Sequence, residues 1–153
     1  SGLNLISLPI DPFHTSLDSI FAPIISEVKL IADDKGHVFW PAYNVNFIGD
    51  FDQLEGYKVV LNSSQSLLVE GLPIHPEFYY TDIPVGWSMF GYIRSTPVSI
   101  NVLSQYEIYY EIIKNQYGQI YWSTWNIGYF ILQPGEGYMI YSNYPFTISW
   151  PPN

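Results

Sequence analysis

The residues of this sequence that could do chemistry are mainly acids, and two glutamates stand out. Glu55 and Glu136 each lie in the same tripeptide, Glu-Gly-Tyr. Glycosidases use two carboxylates as acid and base, or as acid and nucleophile. These two glutamates, however, hold matching places in two copies of one repeat, so we expect both to accept backbone N–H bonds at a turn. The pair therefore favours a non-catalytic protein, with an unrecognised glycan-active enzyme as an alternative.

A second acidic group raises the question of a metal site. The first half of the chain carries it: Asp33, Asp34, Asp50, Asp52 and Glu55. Clustered carboxylate and carbonyl oxygens suit Ca²⁺. Asp33 and Asp34 also stand where turns favour aspartate, and the second copy replaces most of these acids. The three histidines have no metal-ligand spacing, and the chain has no cysteine: His14, His37 and His75. No nucleophile elbow, phosphate loop or dinucleotide fingerprint occurs, so the sequence predicts no metal and no cofactor.

These residues belong to a stretch that the chain contains twice, at 36–57 and 118–138. Gly36 and Gly118 are 82 positions apart, and so are Trp40 and Trp122. The two Glu-Gly-Tyr tripeptides are 81 apart, so one residue was lost between the copies. The spacing predicts internal repeats at 2–71 and 86–151, joined by a Pro-rich link at 72–85.

Each copy reads as a strand, a short helix and about four more strands. In the first copy, Thr15 or Ser16 can cap the helix and Pro23 ends it. The strands fall at 2–10, 28–32, 37–40, 57–61 and 66–71. In the second copy Ser99 is the cap, and the strands fall at 86–93, 110–114, 119–122, 138–142 and 147–152. Gly36 should take a positive φ in a hairpin turn. The predicted class is mainly β, or α+β by element count.

The length of each copy bears on domain organisation. A copy of at most 70 residues, without disulfides or metal, is marginal alone. We therefore expect residues 1–153 to form one pseudo-symmetric domain in which the two halves share a hydrophobic interior. The link contains three aromatic residues, so it should lie against the protein.

The charge of the chain excludes some partners. Fourteen acids against five bases give a net charge of −9. Nucleic acid and anionic membranes both select clustered lysine and arginine, so neither is an expected partner. No apolar run reaches the roughly 20 residues that span a bilayer, so we expect no membrane insertion.

Aromatic residues are unevenly divided between the copies, with eight in residues 1–71 and seventeen in residues 86–151. The surplus could be buried at an interface between the halves or with a partner, form a platform for sugar rings, or replace aliphatic core residues. If the protein binds a glycan, the predicted ligand-binding residues are the outward aromatics of the second copy: Tyr109, Tyr117, Tyr121 and Trp125. The aromatics that both copies keep are assigned to the core: Trp40, Trp122, Tyr57 and Tyr138.

The order of the motifs resembles a known repeat. The first copy contains GLNLISLPI, SIFAPI, VKLIADDKGHVFWP, NFIG and GY. This order resembles a repeat of bacterial, especially Bacteroidetes-type, extracellular and cell-surface proteins, with similar repeats in some phage structural proteins. The second copy keeps part of the pattern: Gly86, Trp87, Gly118, Trp122, Gly135, Gly137 and Tyr138. It departs at Ser88, Ser123 and Gly128. The resemblance implies display at a cell surface as one module among several, and it supplies no catalytic residues.

The sequence thus favours a non-catalytic extracellular adhesion or ligand-binding module. Its expected partners are a glycan or surface protein, neighbouring modules, or copies of itself. The alternative is a structural spacer or a self-assembling subunit of capsid or fibre type.

Overall fold

The computed structural model describes residues 2–153 and confirms the mainly β class, with 41% of residues in strands. The strands up to residue 73 are β1 (Gly2–Ile6), β2 (Ile10–Pro12), β3 (Val28–Ala32), β4 (Val38–Trp40), β5 (Val45–Asn46), β6 (Tyr57–Leu61) and β7 (Gly71–Pro73). Those that follow are β8 (Tyr80–Ile83), β9 (Gly86–Gly91), β10 (Val98–Ser99), β11 (Tyr110–Lys114), β12 (Ile120–Trp122), β13 (Ile131–Leu132), β14 (Gly137–Ser142) and β15 (Phe146–Ser149).

The two largest sheets share one strand order. The first sheet runs β1-β6-β3-β4-β5, and the second runs β9-β14-β11-β12. All neighbours in both sheets are antiparallel. The register shifts between Val28 and Leu30 in β3 and between Tyr110 and Ile112 in β11, which are matching positions of the two copies. The repeat in the sequence is therefore also a repeat of sheet topology.

Short polar side chains begin the helices and close the hairpins. Ser16 caps helix α1 (Leu17–Phe21), and a 3₁₀ helix continues from Ala22 to Glu27. Ser99 caps a 3₁₀ helix at Ile100–Tyr106, so the second copy has a tighter helix. Other 3₁₀ turns lie at Pro41–Tyr43, Pro76–Phe78 and Ser123–Trp125.

The hairpin turns are built alike in the two copies. Gly36 has φ +87° and Gly118 has φ +82°, as expected for these turns. Before each glycine, Asp33 or Asn115 accepts hydrogen bonds from the amides two and four residues later, at 2.8–3.0 Å. Asp33 is therefore used to hold a turn.

Several predicted strands are wrong in extent: the one predicted at 86–93 ends at Gly91, and the one predicted at 147–152 ends at Ser149. The strand predicted at 2–10 ends at Ile6, because the Ser7 amide donates to the Gly135 carbonyl of the other half at 3.0 Å. The chain then turns and β2 pairs with β7. Of the strand predicted at 66–71, only Gly71 is in a strand. Most of the predicted link is ordered structure, since β8 pairs with β15.

The expectation of one shared hydrophobic interior is wrong, because each half has its own cluster of buried side chains. The first includes Leu17, Phe21, Ile31, Phe39 and Tyr57. The second includes Phe90, Ile113, Tyr121, Tyr138 and Trp150, together with Ile74 and Ile83 of the link. Each sheet covers its own core, which leaves a different kind of contact to join the halves.

Main-chain hydrogen bonds and close glycine packing form the junction between the halves. The Ser7 amide donates to Gly135 at 3.0 Å, and the matching Gly91 amide donates to Leu54 at 2.8 Å. A Cβ atom on Gly91 would lie 2.3 Å from the Gln53 carbonyl oxygen, so only glycine allows this approach. The exchange is reciprocal, which is what a two-fold relation between the halves produces.

Side chains repeat this reciprocity. The Leu5 amide donates to Gln116 Oε1 at 3.1 Å, and the Met89 amide donates to Asp34 Oδ2 at 3.2 Å. Leu5 matches Met89, and Asp34 matches Gln116, in the two copies. Ser7 adds a buried hydroxyl that donates to the Glu136 carbonyl at 2.7 Å. Whether one rotation overlays the halves stays a prediction.

Candidate functional site

The structure does not bring the four predicted ligand-binding aromatics together. Tyr121 is only 2% exposed, and its hydroxyl donates to the Glu107 carboxylate. Tyr109 is half-buried, with its ring stacked on Phe146 at a centroid distance of 5.5 Å. The prediction of an outward platform is therefore wrong for Tyr121, whose ring belongs to the core.

The other two predicted residues are exposed but lie in different places. Tyr117 is at the tip of the β11–β12 hairpin, where it borders a shallow hollow with Tyr129. Trp125 ends the 3₁₀ turn after β12 and does not border that hollow. Both side chains can meet a ligand singly, and the structure does not join them into one surface.

One wrong choice of strand face explains the error. Successive side chains of a strand point to opposite faces, so choosing the face assigns every residue of the strand. Phe39 and Tyr121 point into their cores, whereas Trp40 is 40% exposed and Trp122 is half-buried. The core assignment is therefore wrong for Trp40 and only partly right for Trp122. It is confirmed for the remaining pair, Tyr57 and Tyr138.

The outer face of the second sheet carries the most extensive row of aromatic side chains that the strand pairing defines. Ile112 pairs with Trp122 on one side and with Tyr141 on the other, and Tyr141 pairs with Trp87. Cross-strand partners point to the same face of a sheet. The row therefore crosses all four strands.

Trp87 and Tyr141 form the open end of this row. Trp87 is 49% exposed, and its ring centroid lies 5.4 Å from that of Tyr141 at an interplanar angle of 58°. Lys114 places its Nζ 4.8 Å from the Trp87 ring centroid, a cation–π distance. The result is an aromatic surface with a hydrogen-bond donor beside it.

The first sheet has the same row with only one aromatic side chain, Trp40. The positions that match Trp122, Ile112, Tyr141 and Trp87 are Trp40, Leu30, Val60 and Leu3. Lys114 is matched by Ala32. The same topology therefore folds with aliphatic residues at the positions of Tyr141 and Trp87, and this aromatic pair with its lysine is particular to the second half. No sequence signal in β9 points Trp87 outward, because Trp87 and Met89 on one face alternate with Ser88 and Phe90 on the other.

Glu136 and Glu55 each accept a hydrogen bond from a tyrosine hydroxyl group. The Tyr138 hydroxyl donates to Glu136 Oε2 at 2.7 Å and accepts from the Gln133 amide at 2.7 Å. Gln116 Nε2 also donates to Glu136, at 3.2 Å. Burial raises the pKa of the Tyr138 hydroxyl far above its ordinary value, so it remains a donor.

The first copy repeats this arrangement with a longer bond. The Asp52 amide donates to the Tyr57 hydroxyl at 2.9 Å, and that hydroxyl lies 3.4 Å from Glu55 Oε2. Lys35 Nζ pairs with the Glu55 carboxylate. The expectation that these glutamates accept backbone N–H bonds is wrong, because tyrosine hydroxyls and polar side chains are their partners. Within residues 2–153, no group of three or more His, Asp or Glu side chains could hold a metal ion.

The chain matches no protein-family model, no curated protein and no solved structure. In the part of the chain that the structure describes, no helix has both the length and the apolar composition needed to cross a bilayer.

Proposed function

We propose that this protein is a non-catalytic binding module that holds carbohydrate on the outer face of its second sheet. The observation that carries the proposal is the contact between the exposed Trp87 and the half-buried Tyr141 on the outer face, with Lys114 beside them. The faces of pyranose rings present C–H groups, which pack on the electron-rich face of an aromatic ring. The ammonium group of Lys114 can donate hydrogen bonds to sugar hydroxyls at the edge.

The comparison between the halves supports binding over a folding role for these side chains. Leu3 and Val60 occupy the matching positions in a sheet of the same strand order. Folding makes the same demand on both sheets, so it does not explain two large aromatic side chains in only one. A ligand that stacks on the second sheet does explain them.

The proposed setting is the cell surface or the extracellular space, with this chain as one module of a larger protein. The resemblance of its repeats to those of bacterial surface proteins supports this setting. The low content of basic residues agrees with a ligand that is not a polyanion.

Glycan-array screening of the chain, followed by calorimetry with the best oligosaccharide, tests the proposal. Trp87→Ala and Tyr141→Ala should each weaken binding at least tenfold, or about 1.4 kcal/mol. Neither side chain belongs to the core, so each substitution should lower the melting temperature much less than a core substitution such as Tyr138→Ala. Leu3→Ala is the matched control in the first sheet and should bind as the parent does.

Two further variants separate this surface from the one that the sequence suggested. Trp125→Ala and Tyr117→Ala remove the two exposed residues among the ligand-binding aromatics that the sequence predicted. Each variant should keep its affinity for the oligosaccharide within about twofold of the wild-type value. If wild-type protein binds no glycan, or if Trp125→Ala abolishes binding while Trp87→Ala does not, the outer sheet face is not the site.

A second function, that of a self-assembling structural subunit, is favoured by the first sheet. Its outer face exposes Leu3 at 57% and Trp40 at 40%. Large apolar patches on a protein surface often mark contacts with other proteins. In that case the mass measured by light scattering should rise with concentration, and Leu3→Asp should keep the chain monomeric. A constant monomer mass up to millimolar concentration would remove this candidate.

A further inference from the structure

One segment of the first half, residues 65–69, has no partner strand. The matching segment of the second half is 146–150, which lies 81 positions later and contains β15. There, β15 pairs with β8 in an antiparallel two-stranded sheet. In the part of the chain that the structure describes, residues 64–69 form no backbone–backbone hydrogen bond. Unpaired main-chain groups at a surface are a template for the addition of another strand.

The side chains of the two segments alternate in the same way. Leu67 and Val69 pack against the core of the first half, as Ile148 and Trp150 do in the second. Ile148 and Trp150 are fully buried, whereas Leu67 and Val69 are only half-buried. Leu68 points away from the core and is 83% exposed. The segment therefore has the side-chain pattern of β15 but lacks the neighbour that completes its burial.

In the second half that neighbour is β8. Its Ile83 belongs to the core, and Thr81 accepts a hydrogen bond from Trp150 Nε1 at 3.3 Å. β8 lies just before β9 in the chain, and β9 matches β1. Within residues 2–153, no segment of the first half corresponds to β8. The place beside 65–69 that β8 takes in the second half is therefore open.

A hollow of about 200 Å³ marks this open place, with Gln65 and Leu67 on one side. Most of its wall is apolar. Other wall residues match residues that border the corresponding hollow in the second half, where β8 forms part of the wall. The matching pairs are Asn4 with Ser88, Leu5 with Met89, and Gln116 with Asp34. The hollow therefore suits an apolar side chain of an added strand, as Ile83 is in β8.

We propose that the first half binds a segment of a partner polypeptide, which adds to residues 65–69 as an antiparallel strand in the place that β8 takes in the second half. All fifteen strands of residues 2–153 already have partners, and so do those of a second copy. In strand addition, main-chain hydrogen bonds give affinity and alternate side chains give specificity. The partner strand should thus be apolar where β8 has Ile83 and polar where it has the exposed Asp82.

This proposal does not depend on carbohydrate binding. None of the three residues of the proposed glycan surface lines the hollow: Trp87, Tyr141 and Lys114. Loss of either activity by mutation should therefore leave the other unchanged.

A capped peptide with the sequence of residues 79–85, which contains β8, is the probe. In an NMR titration of the full chain, the largest chemical-shift changes should fall on residues 65–69 and on Asn4 and Leu5. A peptide with Ile83→Asp should bind at least about tenfold more weakly, because it would bring a charge into the apolar hollow. A peptide with Asp82→Asn changes only the exposed face and should bind within about twofold of the parent peptide.

Two proline variants of the protein test the strand geometry. The Ser149 amide donates to the Tyr106 hydroxyl at 3.0 Å and not to β8. N–H groups alternate in direction along a strand, so the Gln65 amide should face the added strand and the Ser66 amide should not. Gln65→Pro should weaken peptide binding at least about fivefold, and Ser66→Pro should stay within about twofold. Neither amide forms a backbone bond in the free protein, so both variants should melt close to the parent.

Three results would overturn the proposal. The first is no binding at millimolar peptide. The second is shifts confined to residues 146–149, because the peptide would then only exchange with β8. The third is a mass that rises with protein concentration, with shifts at 65–69 in the absence of peptide, because a second copy would then occupy this edge.

Discussion

Adding one methyl group at the junction, by Gly91→Ala, tests whether the two halves fold as one body. The new Cβ would lie 2.3 Å from the Gln53 carbonyl oxygen and 2.7 Å from that of Glu55. Both are main-chain atoms, so the strands must separate by about 1 Å to restore ordinary contact distances. The 2.8 Å hydrogen bond from the Gly91 amide to Leu54 lies at the same point.

The expected cost follows from these contacts. Overpacking costs about 1–3 kcal/mol and a weakened hydrogen bond about 1 kcal/mol, so the total is about 2–4 kcal/mol. For a chain of this size, each kcal/mol lowers the melting temperature by about 2–4 °C, which gives a decrease of about 5–15 °C. Scanning calorimetry measures both the temperature and the cooperativity of the transition.

A glycine away from the junction provides the matched control. A Cβ on Gly71 would lie 2.3 Å from the Asp11 carbonyl oxygen, a comparable overlap that lies wholly within the first half. If the halves unfold together, Gly71→Ala and Gly91→Ala should each lower one common transition. Two separate transitions, with only one moved by Gly71→Ala, would refute the single-domain prediction. A Gly91→Ala protein that melts within 1 °C of the parent would refute the steric reasoning itself.

Three further predictions concern buried polar groups. Burial raises the pKa of Tyr92 and of Tyr121 to about 12, against an ordinary value of 10. Because the unfolded chain loses these protons at lower pH than the folded chain does, the free energy of unfolding should fall as pH rises from 10 to 12, by up to about 1.4 kcal/mol per pH unit for each tyrosine. Urea unfolding at pH 9, 10 and 11 measures this free energy. A value that does not change with pH would contradict the prediction. Tyr138→Phe should lower the free energy of unfolding by about 1–2 kcal/mol, because the Glu136 carboxylate and the Gln133 amide each lose a hydrogen-bond partner. An unchanged midpoint of urea unfolding would show that these two hydrogen bonds do not contribute to stability. Asp33→Ala should lower the free energy of unfolding by about 2 kcal/mol in the same urea experiment. Asp33→Asn should lower it by less than about 1 kcal/mol, because an asparagine holds the equivalent turn of the second copy. Equal losses in the two variants would show that the charge of Asp33 matters more than its turn geometry.

Local features of the fold were predictable because they depend on near neighbours in the sequence. The strands at 28–32, 57–61 and 110–114 have the predicted bounds, since each is a β-prone run beside a turn. Ser16 and Ser99 cap their helices because a serine before an apolar stripe can accept an N–H bond. Contacts between the halves were not predictable in this way. Ser7 ends its strand early because its amide bonds to a residue more than a hundred positions away.

The site was harder to predict for a different reason. Alternation shows that a strand has two faces, but it identifies the buried face only when the other face is polar. In the strands at 38–40 and 120–122 both faces are apolar or aromatic, so these residues contain no signal that points Tyr121 inward and Trp122 outward. Trp87 lies on an edge strand in which both faces also carry large side chains, and its exposure follows from the pairing of β9 with β14 alone.

The reciprocal junction has a consequence for refolding. Because Ser7 of one half meets Gly135 of the other while Gly91 meets Leu54, the first half of one molecule can make all of these bonds with the second half of another. The short segment between β7 and β8 then becomes the hinge of a domain-swapped dimer that keeps the same junction hydrogen bonds. Refolding at high concentration should favour this intertwined dimer, and dilution should return it slowly to the monomer.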